Sequence, residues 1–179
     1  MHCPTCKNIE LKPIKLEGGL PAEGCPQCHG ASVSLWVYRE WLTRNPEVIV
    51  KQFETEPHAE IETVDVKNLL FCSKCSGVMS KYRISTEAEN RLDLCIRCNE
   101  TWLNHGEWNL IQALNLTDKL NHFFNDSWQN KIRETQNHQR TEEKWKALFA
   151  DDYQEINRII EWIKNHKHSD ALLKYINKH

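Results

Sequence analysis

The chain has 179 residues, with 23 lysines and arginines against 25 acids, a formal charge of -2 and 40% hydrophobic residues. That length suits one or two domains, and a mean hydropathy of -0.67 makes for a lean core. No run approaches the ~20 apolar residues of a membrane-spanning helix, and the opening Met-His-Cys-Pro-Thr-Cys has neither a basic nor an apolar signal region, so a cytoplasmic location is expected.

Eight cysteines in a chain read as cytoplasmic point to metal ligands, because thiols there are kept reduced. They fall as Cys3-x2-Cys6, Cys25-x2-Cys28, Cys72-x2-Cys75 and Cys95-x2-Cys98, with 18 and 19 residues between the pairs of each group. This is the spacing of four-cysteine zinc sites. A redox C-x-x-C would open a helix within a βαβ unit, whereas Pro4 and Pro26 sit inside two of the pairs, where a turn is wanted. Two tetrahedral sites holding two zinc ions follow, with Cys3, Cys6, Cys25 and Cys28 as one ligand set and Cys72, Cys75, Cys95 and Cys98 as the other. Iron stays open as the alternative metal. His2 and His29 adjoin ligands, but the cysteines already complete both shells.

The first ribbon with its helix spans 1–45. Ile9, Leu11, Ile14 and Leu16, the turn Glu17-Gly18-Gly19, and Leu20 read as a β-hairpin, with Gly30 allowing a tight knuckle. A helix follows, capped by Ser34, stapled by Val33 and Tyr38, and ended by Asn45 ahead of Pro46. Residues 46–70 form an acidic linker, with Glu54, Glu56, Glu60, Glu62 and Asp65 against Lys51 and Lys67. It reads as a solvated spacer, or alternatively as an acidic edge strand through Ile61, Val64 and Val66.

Residues 71–115 repeat the first plan. Cys3 to Cys72 is 69 residues and Cys25 to Cys95 is 70, and Val33, Ser34 and Tyr38 align without a gap on Leu103, Asn104 and Trp108. Val78, Tyr82 and Ile84, a polar turn over 86–90, and Leu92 with Leu94 make the second hairpin, and Gly77 serves its knuckle. Asn104 with Glu107 reads as a capping box and Leu103 with Trp108 as a staple.

Residues 116–179 contain no cysteine, glycine or proline and read as all-helical. Thr117 caps a helix carrying Leu120, Phe123 and Phe124, and Asp126 with Gln129 opens the next, toward Phe149. Asp152 with Glu155 opens a third, whose Ile156, Ile159, Ile160 and Ile163 form one apolar face. Ser169 caps a last helix with Leu172, Leu173 and Ile176. Among seven tryptophans, Trp36, Trp102 and Trp108 are expected in the core, and Trp128 and Trp145 are candidates for an interface or, equally, for a tertiary contact within the monomer. The expected fold is a small metal-bound α+β fold: two zinc ribbons, each a β-hairpin with zinc knuckles followed by a helix, plus an all-helical C-terminal region.

Cys-Pro-x-Cys, a hairpin, and Cys-x-x-Cys followed by Thr101-Trp102-Leu103-Asn104-His105-Gly106-Glu107-Trp108 resemble the zinc ribbon of the transcription factor IIB type. After the ligands the second copy is the better match and the first the more divergent. Over its length, the chain looks like bacterial tandem-ribbon proteins. The resemblance implies metal binding and a connection to transcription or nucleic acid.

Charge argues against the second implication. Four thiolates and one zinc sum to -2, so two centres take the chain from -2 to about -6, and phosphate binding needs clustered lysine and arginine. Local patches are open to Lys81, Arg83, Arg91 and Arg97 in the second copy, or to Lys131, Arg133, Arg140, Lys144 and Lys146 beyond it. There is no nucleophile elbow, no phosphate-cradling glycine loop and no open metal shell. The sequence reading is a non-enzymatic zinc-ribbon adaptor engaging a protein partner; the alternative is a nucleic-acid-binding ribbon.

Overall fold

The computed structural model describes residues 1–46 and 62–178. Strand β1 (Lys12–Lys15) pairs antiparallel with β2 (Pro21–Gly24), from Lys12 opposite Gly24 to Lys15 opposite Pro21. The turn between them needs two left-handed residues, supplied by Gly18 and Gly19 at φ 82° and 81°. Two tryptophans hold it down: Trp41 Nε1 donates to the Gly18 carbonyl at 3.2 Å and Trp108 Nε1 to that of Glu17 at 2.9 Å.

Each half also contains a strand, between its last cysteine and its helix, that the sequence reading did not predict. β3 (Ala31–Ser34) follows the last cysteine of the first group, and β6 (Glu100–Leu103) that of the second. Val33, Thr101 and Trp102 favour extended backbone, and both segments are almost wholly buried. β6 also pairs with β5 (Arg91–Cys95), which pairs with β4 (Ser80–Arg83). β3 and β6 pair with each other, Ala31 opposite Leu103 through Ser34 opposite Glu100. The two hairpins thus fuse into one six-stranded sheet, ordered β1-β2-β3-β6-β5-β4.

Helix α1 (Leu35–Arg44) ends at Asn45 as expected. Ser34 stands at its N-cap without a side-chain capping bond, and the Leu35 amide donates to the Asn99 carbonyl at 2.9 Å. Helix α2 (Glu107–Ala113) starts later than the Asn104 cap implied, behind a left-handed Gly106. A Cβ on Gly106 would lie 2.1 Å from the Glu62 carbonyl oxygen. Half of the expected capping box forms: Glu107 accepts from the Asn104 amide at 2.7 Å, while Asn104 Oδ1 is taken by the Trp102 indole at 3.1 Å.

Both halves contribute to one core, including Leu20, Val33, Tyr38, Ile84, Leu92, Leu103 and Ile111. Trp36 lies outside it, 64% exposed, contrary to expectation. The buried stripe of α1 is Leu35, Tyr38 and Trp41, and Trp36 falls off that stripe, with the Arg39 guanidinium 5.0 Å over its ring. Trp128 takes the second of its two expected roles, a contact within the chain: it packs on Phe123 and donates to the Ile84 carbonyl at 3.0 Å. Trp102 and Trp108 are buried as expected.

The helix expected from Thr117 is replaced by successive turns, with Lys119 donating to the Leu116 carbonyl and His122 to that of Lys119. Leu120 and Phe123 are fully buried beneath them. The Tyr38 hydroxyl donates to the Thr117 carbonyl, which a helix would pair internally, and accepts the Leu120 amide, which the first turn of a helix would leave unpaired.

Helix α3 (Asp126–Phe149) is capped by Asn125, which accepts the Trp128 amide at 2.7 Å, and not by Asp126. Gln129 turns instead to β4, accepting from the Arg83 amide at 3.2 Å and donating to the Arg83 carbonyl at 2.9 Å.

Most of the acidic linker, with Ile61, lies outside the described residues. Val64 and Val66 form no strand, but their segment packs on the second half: the Val64 amide donates to the His105 carbonyl and Lys81 Nζ to that of Val66.

The chain divides into compact units 1–133 and 134–179. The second holds the end of α3, a 3-10 turn at Ala150–Asp152, α4 (Tyr153–Asn165) and α5 (Ser169–Ile176). Asp152 makes no capping bond and has helical backbone as the end of the 3-10 turn, the Glu155 side chain pairs with Arg158 at 2.6 Å, and the N-cap of α5 is His168 and not Ser169. Among the described residues of this unit Ile163 is the one buried hydrophobic; Leu148, Ile159, Ile160, Trp162, Leu173 and Ile176 are exposed. The fold is a small α+β fold as expected, with cysteine knuckles, antiparallel strands leading into helices, and C-terminal helices. No helix among the described residues is long and apolar enough to cross a membrane.

Candidate metal centres

Each cysteine pair sits on a reversal whose left-handed residue directly follows the second cysteine. These residues are Lys7, His29, Ser76 and Asn99, at φ 62°, 56°, 54° and 54°. The reversal was expected to use Gly30 and Gly77, and neither has positive φ. Gly30 is required for another reason: a Cβ there would lie 2.4 Å from Trp102 Cζ2. The amides of Lys7, His29 and Ser76 return to the carbonyls of Cys3, Cys25 and Cys72 at 2.8, 3.0 and 2.9 Å, closing the knuckles. Backbone amides also face sulfur, Cys6 N–H to Cys3 Sγ at 3.2 Å and Lys74 N–H to Cys72 Sγ at 3.4 Å, which favours thiolate.

The structure brings Cys3, Cys6, Cys25 and Cys28 together, and likewise Cys72, Cys75, Cys95 and Cys98, with the four sulfurs of each group within 4.8 Å of one another. Cys3 and Cys28 are 3.6 Å apart, Cys6 and Cys25 3.9 Å, and Cys75 and Cys95 3.6 Å. Zn–S bonds of about 2.3 Å in a tetrahedron give sulfur edges of about 3.8 Å, against about 2.05 Å for a disulfide. Donor chemistry and spacing therefore fit zinc, and each group can hold one ion. Four thiolates fill the tetrahedral shell and leave no position for water or substrate, the arrangement that supports a fold.

The thiols of one group do not ionise alike. Burial pushes Cys3 and Cys28 up to about 11, and Cys98 goes up to about 12, chiefly through its hydrogen bond with Cys75. Burial also acts upward on Cys25, but the amides of Cys28 and Gln27 outweigh it and leave the thiol at about 7. The Gly77 amide brings Cys75 down to about 7. Zinc needs all four as thiolates, so loading releases protons.

The surroundings include buried polar groups, of which the sequence reading singled out Glu107, as a capping residue, but neither Glu100 nor Asp93. Glu100 is buried between Lys74 Nζ at 2.5 Å and Ser32 Oγ, which donates at 3.1 Å from the other half. Asp93, fully buried, pairs with Lys81 at 2.9 Å, and burial still pushes its carboxyl up to about 6. Glu107 accepts from Asn104 and Asn90, and burial pushes it up to about 8. Asp93, flanked by Leu92 and Leu94, reads locally as an outward strand position, and its burial comes only from the full sheet. His29 lies outside the sulfur groups, its ring 5.6 Å from that of His105.

Residues 2–44 match the family described as transcription factor zinc-finger. The match falls on the first ribbon, although the residues after the ligands favoured the second as the closer copy. No curated protein and no solved structure matches the chain.

Proposed function

We propose that the eight cysteines ligate two structural zinc ions, and that the chain is a non-enzymatic cytoplasmic adaptor whose helical C-terminal region engages a protein partner. The observation that carries this reading is the apolar surface of α4 and α5: Ile159, Ile160, Trp162, Leu173 and Ile176 are exposed, while among the described residues of these two helices only Ile163 is buried. Contiguous exposed apolar patches are uncommon on self-sufficient proteins, and an amphipathic helix laid in a groove is a standard recognition mode. A formal charge of -2, about -6 with both zinc centres counted, also suits a protein partner better than a phosphate backbone.

The test is a tagged pull-down from native cells with and without nuclease, beside the Ile159→Asp/Ile160→Asp double variant, with bound zinc counted. A protein that survives nuclease and is lost from the variant, while two zinc ions are retained, supports the adaptor. Partners that disappear with nuclease and persist with the variant favour nucleic-acid association. The ribbon match over 2–44 supports that second reading, as does the exposed Trp36 ring under Arg39, a surface on which a base can stack.

A further inference from the structure

The two cysteine groups share their support. Strand β3 of the first half takes β6 of the second as a neighbour over four paired positions. Trp102, on β6, is fully buried in a single apolar cluster that includes cysteines of both groups. Gly30, two residues beyond Cys28, leaves just enough room for that indole. Ser32 bonds Glu100, and Glu100 holds Lys74, which stands between Cys72 and Cys75. The first amide of α1 bonds the carbonyl of Asn99, the left-handed residue after Cys98.

We propose that the two centres load zinc with positive cooperativity, so that the chain passes from metal-free to two-metal with little half-loaded form. The inference rests on the reading that both groups hold zinc. A ribbon of under ~40 residues depends on its metal to fold. With the second centre empty, the Cys98–Asn99 knuckle loses its metal anchor and the start of β6 is left to its strand neighbours alone. The first half then loses a strand neighbour, the Trp102 packing and the amide acceptor for α1. Its own zinc must be bound against that loss, and linkage makes the penalty the same in the other direction. Two ribbons joined only by a tether would have none of these contacts and would load independently.

The experiment is titration of the reduced, metal-free full chain with chelator-buffered zinc, counting species by native mass spectrometry. At half saturation two equal independent sites leave about half the chains with one zinc, and tenfold coupling lowers that share to about a quarter. A one-zinc share of a quarter or less is expected, and a larger share overturns the inference. In Cys98→Ser the first group should bind zinc at least tenfold more weakly than in the parent chain; unchanged affinity also overturns it. Trp102→Leu keeps all eight ligands and should raise the half-loaded share. If that variant fails to fold, the parent titration alone decides. Absence of zinc from both groups would overturn the metal reading itself, an outcome distinct from independent loading.

Discussion

Tyr38→Phe isolates the support of the turns over 114–125. The hydroxyl of Tyr38 donates to the Thr117 carbonyl at 2.8 Å and accepts the Leu120 amide at 3.3 Å, and the residue is fully buried. Burial raises the phenol above its ordinary value, so it remains a neutral donor at working pH. Phenylalanine keeps the ring, 6.1 Å from Trp41, and removes only an oxygen. The cost is therefore two buried backbone groups left without a partner, each about 1–3 kcal/mol, with the longer contact at the low end. A loss of about 2–4 kcal/mol is expected, a large share of the 5–15 kcal/mol typical of a domain. Urea unfolding of the zinc-loaded chain measures it as a lower midpoint at unchanged slope, and hydrogen exchange at the Leu120 amide localises it. A loss below about 0.5 kcal/mol, the range of neutral surface changes, with Leu120 protection intact, would refute the idea that these turns hang from Tyr38.

Three other outcomes are expected. Gly30→Ala should destabilise by about 1–3 kcal/mol through overpacking, because its methyl meets Trp102 at 2.4 Å and the Leu103 carbonyl oxygen at 3.0 Å; a melting midpoint within about 2 °C of the parent contradicts this. Zinc affinity should fall as pH is lowered from 8 to 6, by about tenfold per unit or more, since Cys3, Cys28 and Cys98 are protonated without metal and must each release a proton; chelator competition giving one affinity at both pH values rules it out. Glu107 sits at about 8 in the folded chain against an ordinary 4.5, so between those values the folded state holds a proton that the unfolded state has lost. Stability then falls as pH rises through the window, by up to about 1.4 kcal/mol per unit. Glu107→Gln should flatten that slope in denaturant titrations between pH 6 and 8, and parallel slopes for parent and variant would count against the shift.

What could be read from the sequence was local. Ligand spacing, the Gly18-Gly19 turn and the end of α1 before Pro46 each depend on a few neighbouring residues, and each appears in the fold. The pairing of β3 with β6 joins residues about 70 apart, and no local pattern marks it. Its side effects were hidden for the same reason: the third strand of each half, the indole that takes Asn104 from its capping role, and the burial of Asp93 and Glu100. Thr117 followed by Leu120 and Phe123 has helical spacing, yet the acceptor and donor on Tyr38 lie in a distant helix. Trp36 left the core and Trp128 took an internal contact because tryptophan suits a core and a surface equally, and only the stripe of α1 and the Ile84 carbonyl decide between them. The ligands of the candidate centres were therefore readable, and the joining of those centres was not.

The bond pair between Gln129 and Arg83 limits growth of the sheet. β4 is an outer strand, and an outer strand presents unpaired amides and carbonyls that can recruit another chain and propagate an aggregate. The Gln129 amide answers both backbone groups of Arg83, as a seventh strand would, but it is a single side chain and passes nothing on. At the opposite margin Pro13 lacks an amide hydrogen and is flanked by Lys12 and Lys15, a strand poorly suited to pairing. A sheet made by splicing two small hairpins thus ends at six strands on both sides, protected against polymerisation by one glutamine and one proline.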